Sequence, residues 1–257
     1  MAIVVESVST PSYSNSGSVV VTKPSGTQTG DLMLIHFHSR NDGGGTPTGN
    51  IVTVPSTGWT LGQWNKGTQG VYQTSEFYYK IAEVGEGDSG WTFDGTVWHA
   101  ESVYRISGVD TTTPVQTTNG GSSDNTSTPS ISAGVTPLNA NSLIMQFWGA
   151  QTISTAVSSY AIATDDITWT EAYDVNSASP GVNVSIAAAY GLRTATSATG
   201  SFSASGGTAS TDWAGNIVVI NPGPSTSIKT VDGLAYASVK TVNGLAIASV
   251  KTINGLA

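Results

Sequence analysis

The sequence predicts an all-β protein built as an antiparallel β-sandwich, and three observations lead to this. Helical periodicity of apolar residues is almost absent along the 257 residues. Short runs rich in β-branched and aromatic residues recur instead, each bounded by Gly, Pro, Asn or Ser. Proline stands at the boundaries of these runs or in loops, as β-sheets require. Six runs are predicted as strands: Leu32–Phe37, Glu76–Ala82, Val97–Ile106, Leu143–Trp148, Val182–Leu192 and Trp213–Ile220.

The region 1–222 forms a body whose two halves, about 1–115 and 133–222, resemble each other. The matches follow one order and include Leu32 with Leu143, Trp59 with Trp169, Tyr79 with Tyr190, and Ala100–Ile106 with Ala214–Ile220. Each half could be its own small sandwich, or both could interleave into one sandwich of about eight to ten strands. We favour one jelly-roll-like sandwich with internally duplicated halves, because each half supplies few clear strands. The Thr-, Ser- and Gly-rich segment Gln116–Ser132 is expected to be a linker or a long crossover loop.

A short repeat tail follows the body, after a linker at 223–227. Residues 228–257 repeat three times with a period of eleven, and each repeat holds a Lys and a Gly-Leu pair in register. The Asp-Gly and Asn-Gly dipeptides are strong hairpin signals, so we expect a short β-meander. Repeats of this kind cannot bury their apolar residues alone and need neighbours. The predicted attachment or oligomerisation residues are Lys229, Gly233, Leu234, Lys240, Gly244, Leu245, Lys251, Gly255 and Leu256.

Charge narrows the choice of partners. The tail from Ser225 carries three Lys and one Asp, a net charge of +2. Because the whole chain has a net charge of −8, the body has a net charge of −10. An acidic body repels phosphate groups, so we expect no nucleic-acid partner. No apolar run is long enough to cross a bilayer, so we expect no membrane insertion. The chain has no cysteine, and no sequence motif indicates a cofactor.

Histidines and carboxylates offer weak chemical signals. His36 and His38 share one strand face, but a zinc site needs three or four ligands and no third is evident, so we predict no metal site. By strand alternation His99, Glu101 and Arg105 also share a face. We interpret them as a salt-bridged surface row, because a second acid for glycoside hydrolysis is missing from that strand.

Two acidic pairs in loops, Glu86 with Asp88 and Asp165 with Asp166, could hold calcium, although such pairs are common and unspecific. A glycine run after Asp42 lacks the lysine and the helix of a phosphate loop. No catalytic motif is present, so we predict that the protein is not an enzyme.

Tryptophan is the remaining candidate for ligand binding. Trp59 and Trp169 recur in both halves and are therefore interpreted as structural. Trp64 and Trp148 have no such counterpart. They are the candidate platforms for stacking on sugar rings, because an apolar ring face with a polar edge suits a carbohydrate. A role in the core is the alternative for each.

Five motifs of the first half follow one another along the chain. They are Gly30-Asp-Leu-Met-Leu-Ile-His-Phe, Gly58-Trp-Thr-Leu, Phe77-Tyr-Tyr-Lys-Ile-Ala, Trp91-Thr-Phe and Tyr104-Arg-Ile-Ser-Gly-Val-Asp. These motifs resemble a broad group of all-β domains found in bacteriophage virion proteins and in some bacterial surface proteins. The resemblance covers roughly 30–115 well and the second half loosely, and the tail is similar to C-terminal repeats of phage structural proteins. One departure is Ser107 ahead of Gly-Val, where the group has Arg.

The resemblance implies a jelly-roll-like domain on a virion, as a head fibre, a decoration protein or a tail-associated protein. Such proteins are often trimeric and often contact host-surface glycans. We therefore expect a homo-oligomer, preferably a trimer, that binds capsid or other virion proteins and presents its body to a host-surface glycan. No catalytic residues carry over. The first residues lack the features of a signal peptide, so we expect synthesis in the host cytoplasm and release on lysis.

Two other functions stay open from the residues alone. The first is a carbohydrate-binding module of a bacterial surface protein, with Trp64 and Trp148 stacking on sugars. The second is a polysaccharide-degrading enzyme that uses Glu101 with a distant acid such as Glu76.

Overall fold

The computed structural model describes residues 2–14, 18–41, 58–67, 72–86, 91–94, 98–123, 126–150, 157–176, 184–206, 212–224, 230–231, 234–235, 241–242 and 245–246. Within these residues the protein is an all-β antiparallel β-sandwich without helices, which confirms the predicted fold class. The chain divides into a body, Ala2–Gly223, and a tail unit, Pro224–Ala257.

The body contains sixteen strands in the residues that the structure describes. The first half supplies β1 (Val4–Val8), β2 (Ser12–Ser14), β3 (Ser18–Val21), β4 (Leu32–Asn41), β5 (Thr60–Lys66), β6 (Tyr72–Ile81), β7 (Trp91–Asp94) and β8 (Trp98–Ser107). The second half supplies β9 (Val115–Ser123), β10 (Ser130–Ile131), β11 (Ser142–Ala150), β12 (Ser158–Ile162), β13 (Thr170–Asn176), β14 (Ser185–Arg193), β15 (Phe202–Ser205) and β16 (Trp213–Ile220). The six predicted runs are β4, β6, β8, β11, β14 and β16.

Two large sheets lie at the centre of the body. Sheet A has the order β1-β8-β4-β6-β5, with β2 also paired to β8, and sheet B has the order β13-β14-β11-β16-β9. The small sheet β3-β7 covers the outer face of sheet A, and the small sheet β10-β15-β12 covers the outer face of sheet B. The body is therefore a stack of four layers, in which each half contributes one large and one small sheet.

Sheets A and B pack against each other through a shared apolar core. Leu34, Phe77 and Tyr104 of sheet A meet Phe147 and Ile186 of sheet B there. Because both faces of each large sheet are covered, β11 and β16 are buried along their whole length. Strands buried on both faces read as continuous apolar runs, which is why these were predictable from the sequence.

The two large sheets have equivalent strand orders and registers. In sheet A, Leu32 pairs with Ile81 on one side and Ile106 on the other. In sheet B, Leu143 pairs in the same way with Leu192 and Ile220. The edge strands β5 and β13 also correspond. The ladder of β5 with β6 shifts register between Leu61 and Gln63, and the ladder of β13 with β14 shifts between the equivalent residues Glu171 and Tyr173. These equivalences coincide with the sequence matches between the halves, while a common origin of the halves stays a prediction.

The segment 116–123 differs from the sequence prediction. The sequence predicts a linker or a long crossover loop over Gln116–Ser132, but residues 116–123 belong to β9, which pairs with β16 along its length at the edge of sheet B. Its small residues fit this position, because a Cβ at Gly120 would overlap the side chain of Asn65 on β5. Glycine within a strand often marks such a close approach.

Polar side chains occupy one end of the interface between sheets A and B. The ring of His36 stacks on Phe147 with centroids 4.7 Å apart, and its Nδ1 lies 2.8 Å from the Tyr173 hydroxyl. His38 abuts Gly149 of sheet B, where a Cβ would overlap its ring. The two histidines share a face as predicted, but they pack against sheet B. The described residues contain no group of three metal-ligating side chains.

The tail unit contains two short antiparallel ladders in its described residues. They pair β17 (Thr230–Val231) with β18 (Leu234–Ala235) and β19 (Thr241–Val242) with β20 (Leu245–Ala246). Each ladder flanks an Asp-Gly or Asn-Gly dipeptide, where the sequence predicted hairpin turns. The third repeat, and the residues that a continuous meander would need between the turns, lie outside the described residues.

We expect Gly149→Ala to destabilise the body by about 1–3 kcal/mol, because the added methyl group would overpack the interface at His38. Urea unfolding measures the change. The control is Gly121→Ala, whose Cβ would meet Ile131 at an ordinary 3.6 Å. In a His38→Ala background the cost of Gly149→Ala should largely disappear. An equal cost in both backgrounds would contradict the assigned contact.

We also expect the body to lose stability in acid through the buried histidines. Burial lowers the pKa of His38 from 6.5 to about 3 and lowers the pKa of His36 in the same direction. The unfolded chain then binds more protons, so this stability is fully present above pH 6.5 and is lost as the pH falls towards 3. At pH 5 His38 alone should cost about 2 kcal/mol relative to pH 7. Urea unfolding of His38→Gln should show a smaller loss, and an identical pH dependence would refute this role.

Candidate functional site on the outer face of sheet A

The structure separates the two tryptophan candidates. Trp148 is only 1 % exposed and lies in the core beneath the three-stranded sheet, where its Nε1 donates to Gln146 Oε1 at 3.1 Å. It cannot stack on a sugar, so this prediction is wrong, because β11 is covered on both faces. Trp64 is half-buried on the edge strand β5, where it pairs with Glu76 of β6. Its role in sugar binding stays a prediction.

Most of the predicted attachment residues lie outside the described part of the tail. Leu234 and Leu245 lie in β18 and β20. The other seven, Lys229, Gly233, Lys240, Gly244, Lys251, Gly255 and Leu256, are not among the described residues. Their role in attachment or oligomerisation stays a prediction.

Two of the four loop carboxylates that suggested calcium are engaged by cations of the chain. Arg193 Nε donates to both carboxylate oxygens of Asp166 at 3.0 Å. Lys80 Nζ pairs with Glu86 Oε1. Asp88 lies outside the described residues. Ion pairs within the chain therefore explain Asp166 and Glu86 without a bound ion.

The predicted row on β8 does share one face, but it is buried. His99 is 1 % exposed and Glu101 is 4 % exposed, because the small sheet β3-β7 covers this face and β2 pairs with β8 beside them. His99 Nε2 lies 3.7 Å from Glu101 Oε2, whereas Arg105 Nε pairs with Asp31 Oδ2 at 2.6 Å. The prediction of a salt-bridged surface row is therefore wrong, since Arg105 has another partner and the row is covered.

A second carboxylate lies in the same cross-strand row. Phe37 of β4 pairs with Glu101 on one side and with Glu76 on the other. Glu76 is buried and accepts hydrogen bonds from Thr74 at 2.9 Å and Tyr78 at 2.8 Å. Two strand spacings place the Cα atoms of the two acids roughly 10 Å apart. The ring of Phe37 lies between them, and Glu76 does not line the cleft that reaches Glu101.

Sheet B shows what the same positions contain when they serve only packing. Trp148 is equivalent in register to Phe37, and it pairs with Ala187 where Phe37 pairs with Glu76. It pairs with Gly215 where Phe37 pairs with Glu101. The outer face of sheet B therefore packs without a carboxylate at either position. Since burial of a carboxylate is costly, these two acids indicate a use other than folding.

Glu101 also lies at the base of an open cleft. The cleft has a volume of about 550 Å³ and runs between the segment after β1 and the segment from β3 to Ser25. Ser12 Oγ donates a hydrogen bond to Glu101 Oε1. Among the described residues, Oε2 has no hydrogen-bond donor. Burial raises the pKa of Glu101 to about 7, against the smaller opposing effect of the Ser12 hydrogen bond.

Comparisons with protein-family models, with characterised proteins and with solved structures give no match to this chain. In the described residues, no helix is long and apolar enough to cross a membrane. The cleft at Glu101 is therefore interpreted from its own geometry.

We expect Glu101→Gln to stabilise the protein at alkaline pH and not at acidic pH. The raised pKa means that stability is complete below about pH 4.5 and is lost as the pH rises through 7. At pH 8 the amide should add up to about 3 kcal/mol to the free energy of unfolding, and at pH 4 the difference should vanish. Urea unfolding at both pH values measures this. Equal stability of the two proteins at pH 8 would contradict a costly buried carboxylate.

Proposed function

We propose that this chain is a non-enzymatic structural protein of a bacteriophage virion, as a head fibre, a decoration protein or a tail-associated protein. The body is the part displayed to the outside, and the repeat tail attaches it to the particle or to sister chains. The motifs shared with phage structural proteins support the assignment to a virion, and the form of the tail supports its role in attachment.

The pairing pattern of the tail is the observation that carries this proposal. In its described residues, each two-residue strand pairs only within its own repeat, as Val231 with Leu234 and Val242 with Leu245. A hairpin this short is not stable in water by itself, and three or more strands with an apolar face are normally needed. The repeats therefore need a partner surface. Sister chains can supply that surface, which favours a homo-oligomer. The resemblance to phage structural proteins, which are often trimeric, favours a trimer in particular.

The construction of the body supports display. Its large sheets are covered on both faces by the chain itself, so the body needs no partner to bury its core. The ion pairs of Lys80, Arg105 and Arg193 engage half of the six cations in the body. The excess acidic groups give the body a net negative charge, which favours solubility and disfavours binding of nucleic acid.

A jelly-roll-like order and a duplication of the halves are parts of the same proposal. In the first half the pairs β1–β8, β4–β6 and β3–β7 are nested in sequence. The second half repeats this nesting with β9–β16, β11–β14 and β10–β15. Equal nesting together with equal register supports both features.

A carbohydrate-binding module of a bacterial surface protein is the alternative. With Trp148 in the core, stacking on a sugar rests on Trp64 alone. For an enzyme that degrades polysaccharide, the ring of Phe37 between Glu76 and Glu101 argues against a cooperating pair of acids.

We expect deletion of residues 226–257 to abolish incorporation into particles and oligomerisation, while the body stays folded. In its described residues the tail forms only two-residue ladders, and the body has its own apolar core, so loss of the tail should leave the thermal unfolding of the body unchanged. Light scattering on the purified full-length and truncated proteins measures the oligomeric state. Immunogold labelling of particles with an antibody to the body measures incorporation.

A second variant keeps the full length of the tail and replaces Leu234, Leu245 and Leu256 with Ser, which separates loss of the apolar residues from loss of the whole segment. This variant should also fail to incorporate if the repeats attach through their apolar residues. A truncated protein that still oligomerises and still labels particles would overturn the proposal. Labelling of cell envelopes with unlabelled particles would favour the bacterial surface module instead.

A further inference from the structure

The cleft above Glu101 has the size and lining of a small-molecule site. Its volume of about 550 Å³ falls in the usual range of roughly 300–1,000 Å³ for ligand pockets. Its walls combine small hydroxyl side chains with aliphatic ones. The residues with hydroxyl side chains are Ser7, Ser9, Thr10, Ser12, Thr22 and Ser25. The aliphatic group includes Val8, Val20, Val21 and Val103.

One carboxylate oxygen supplies the second, independent observation. Glu101 is buried and lines the cleft, as does Val103, which shares its face of β8 by strand alternation. Its Oε1 accepts a hydrogen bond from Ser12. Its Oε2 has no hydrogen-bond donor among the described residues, since His99 Nε2 lies 3.7 Å away, beyond hydrogen-bond distance. A buried polar atom without a partner is rare in native proteins and calls for an explanation. A hydroxyl group of a ligand in the cleft would complete its hydrogen bonding.

The charge balance of the cleft selects a neutral ligand. Among the described residues that line it, Glu101 is the only acid and Lys23 is the only base. Lys23 Nζ donates to the carbonyl oxygen of Glu86 at 2.9 Å. With a pKa of about 7, Glu101 populates both protonation states near neutral pH. A protonated carboxyl both donates and accepts hydrogen bonds, which matches a hydroxyl group better than it matches a cation.

We propose that this cleft binds a neutral saccharide, with Glu101 at its base hydrogen-bonded to a sugar hydroxyl group. The serine and threonine side chains of the walls contact further hydroxyl groups, and the valines pack against the C–H faces of the ring. This inference deepens the proposed function and rests on it in one respect, since it supplies the displayed body with its contact to a host-surface glycan. The site is distinct from Trp64, which does not line the cleft.

Saturation-transfer NMR on the free full-length protein tests the proposal. The probes are D-glucose, D-galactose, N-acetyl-D-glucosamine and L-rhamnose, with methylammonium as a cationic probe. We expect at least one sugar to bind with a Kd on the order of 1 mM, a typical value for a single small ring. Glu101→Ala should weaken that binding at least about tenfold. Glu101→Gln keeps a donor and an acceptor and should retain most of it.

A second pair of variants keeps the test independent of changes at the buried acid. Val20 lines the cleft and is 59 % exposed, so Val20→Trp should fill the cleft without disturbing the core. Val84 is 86 % exposed and does not line the cleft, so Val84→Trp is the matched control. Loss of sugar binding in Val20→Trp but not in Val84→Trp supports the site.

Four results would each overturn the proposal. The first two are no binding of any of the four sugars and sugar binding that survives Val20→Trp. The others are methylammonium binding more tightly than every sugar, and sugar binding that depends on Trp64 and not on Glu101. The assay uses free protein, so the two proposals can fail separately. No sugar binding together with normal incorporation into particles would contradict only the saccharide site in the cleft. Sugar binding without incorporation would contradict only the assignment to a virion.

Discussion

The packing of sheet A on sheet B is the interaction on which the rest of the structure depends. It requires a six-stranded and a five-stranded sheet to approach closely enough that Gly149 lies against His38 and Gly120 lies against Asn65. It also requires polar groups at one end of the interface to find partners across it. Asn216 of sheet B donates to Ser75 of sheet A at 3.0 Å. Such directional bonds fix one alignment of the two sheets, which apolar packing alone would not do.

Once the inner faces are joined, the outer faces are free to differ. On sheet B the small sheet is sealed by aromatic side chains, as in the contact of Trp169 with Phe202. On sheet A a similar aromatic contact, between Trp59 and Trp91, occupies only part of the face. The remainder holds Glu101 and the cleft. The two sheets share one strand register, but the outer face of sheet B is packed with apolar side chains, whereas the outer face of sheet A contains a solvent-open cleft.

The sequence was most informative where burial is complete. All six predicted central strands are present, and β11 and β16 in particular are nearly continuous apolar runs because both of their faces are covered. The edge strands were less visible, since β5 and β9 are largely polar and glycine-bearing. Trp148 was misplaced because a sequence does not show which face of a strand is covered. The sequence does not reveal the role of Ser12, because its contact with Glu101 spans 89 positions and no motif distinguishes this serine from the many others.

The separation of the two large sheets along the chain has a consequence for synthesis on the ribosome. Every strand of sheet A comes from the first half, ending at Ser107, and every strand of sheet B comes later, starting at Val115. At about 10 residues per second, the second half takes on the order of 10 s to emerge. During that time sheet A can complete its own ladders while its inner face lacks a cover. A nascent chain of this design therefore exposes Leu34, Phe77 and Tyr104 to whatever chaperone is at the exit tunnel, and to its neighbours on the same messenger.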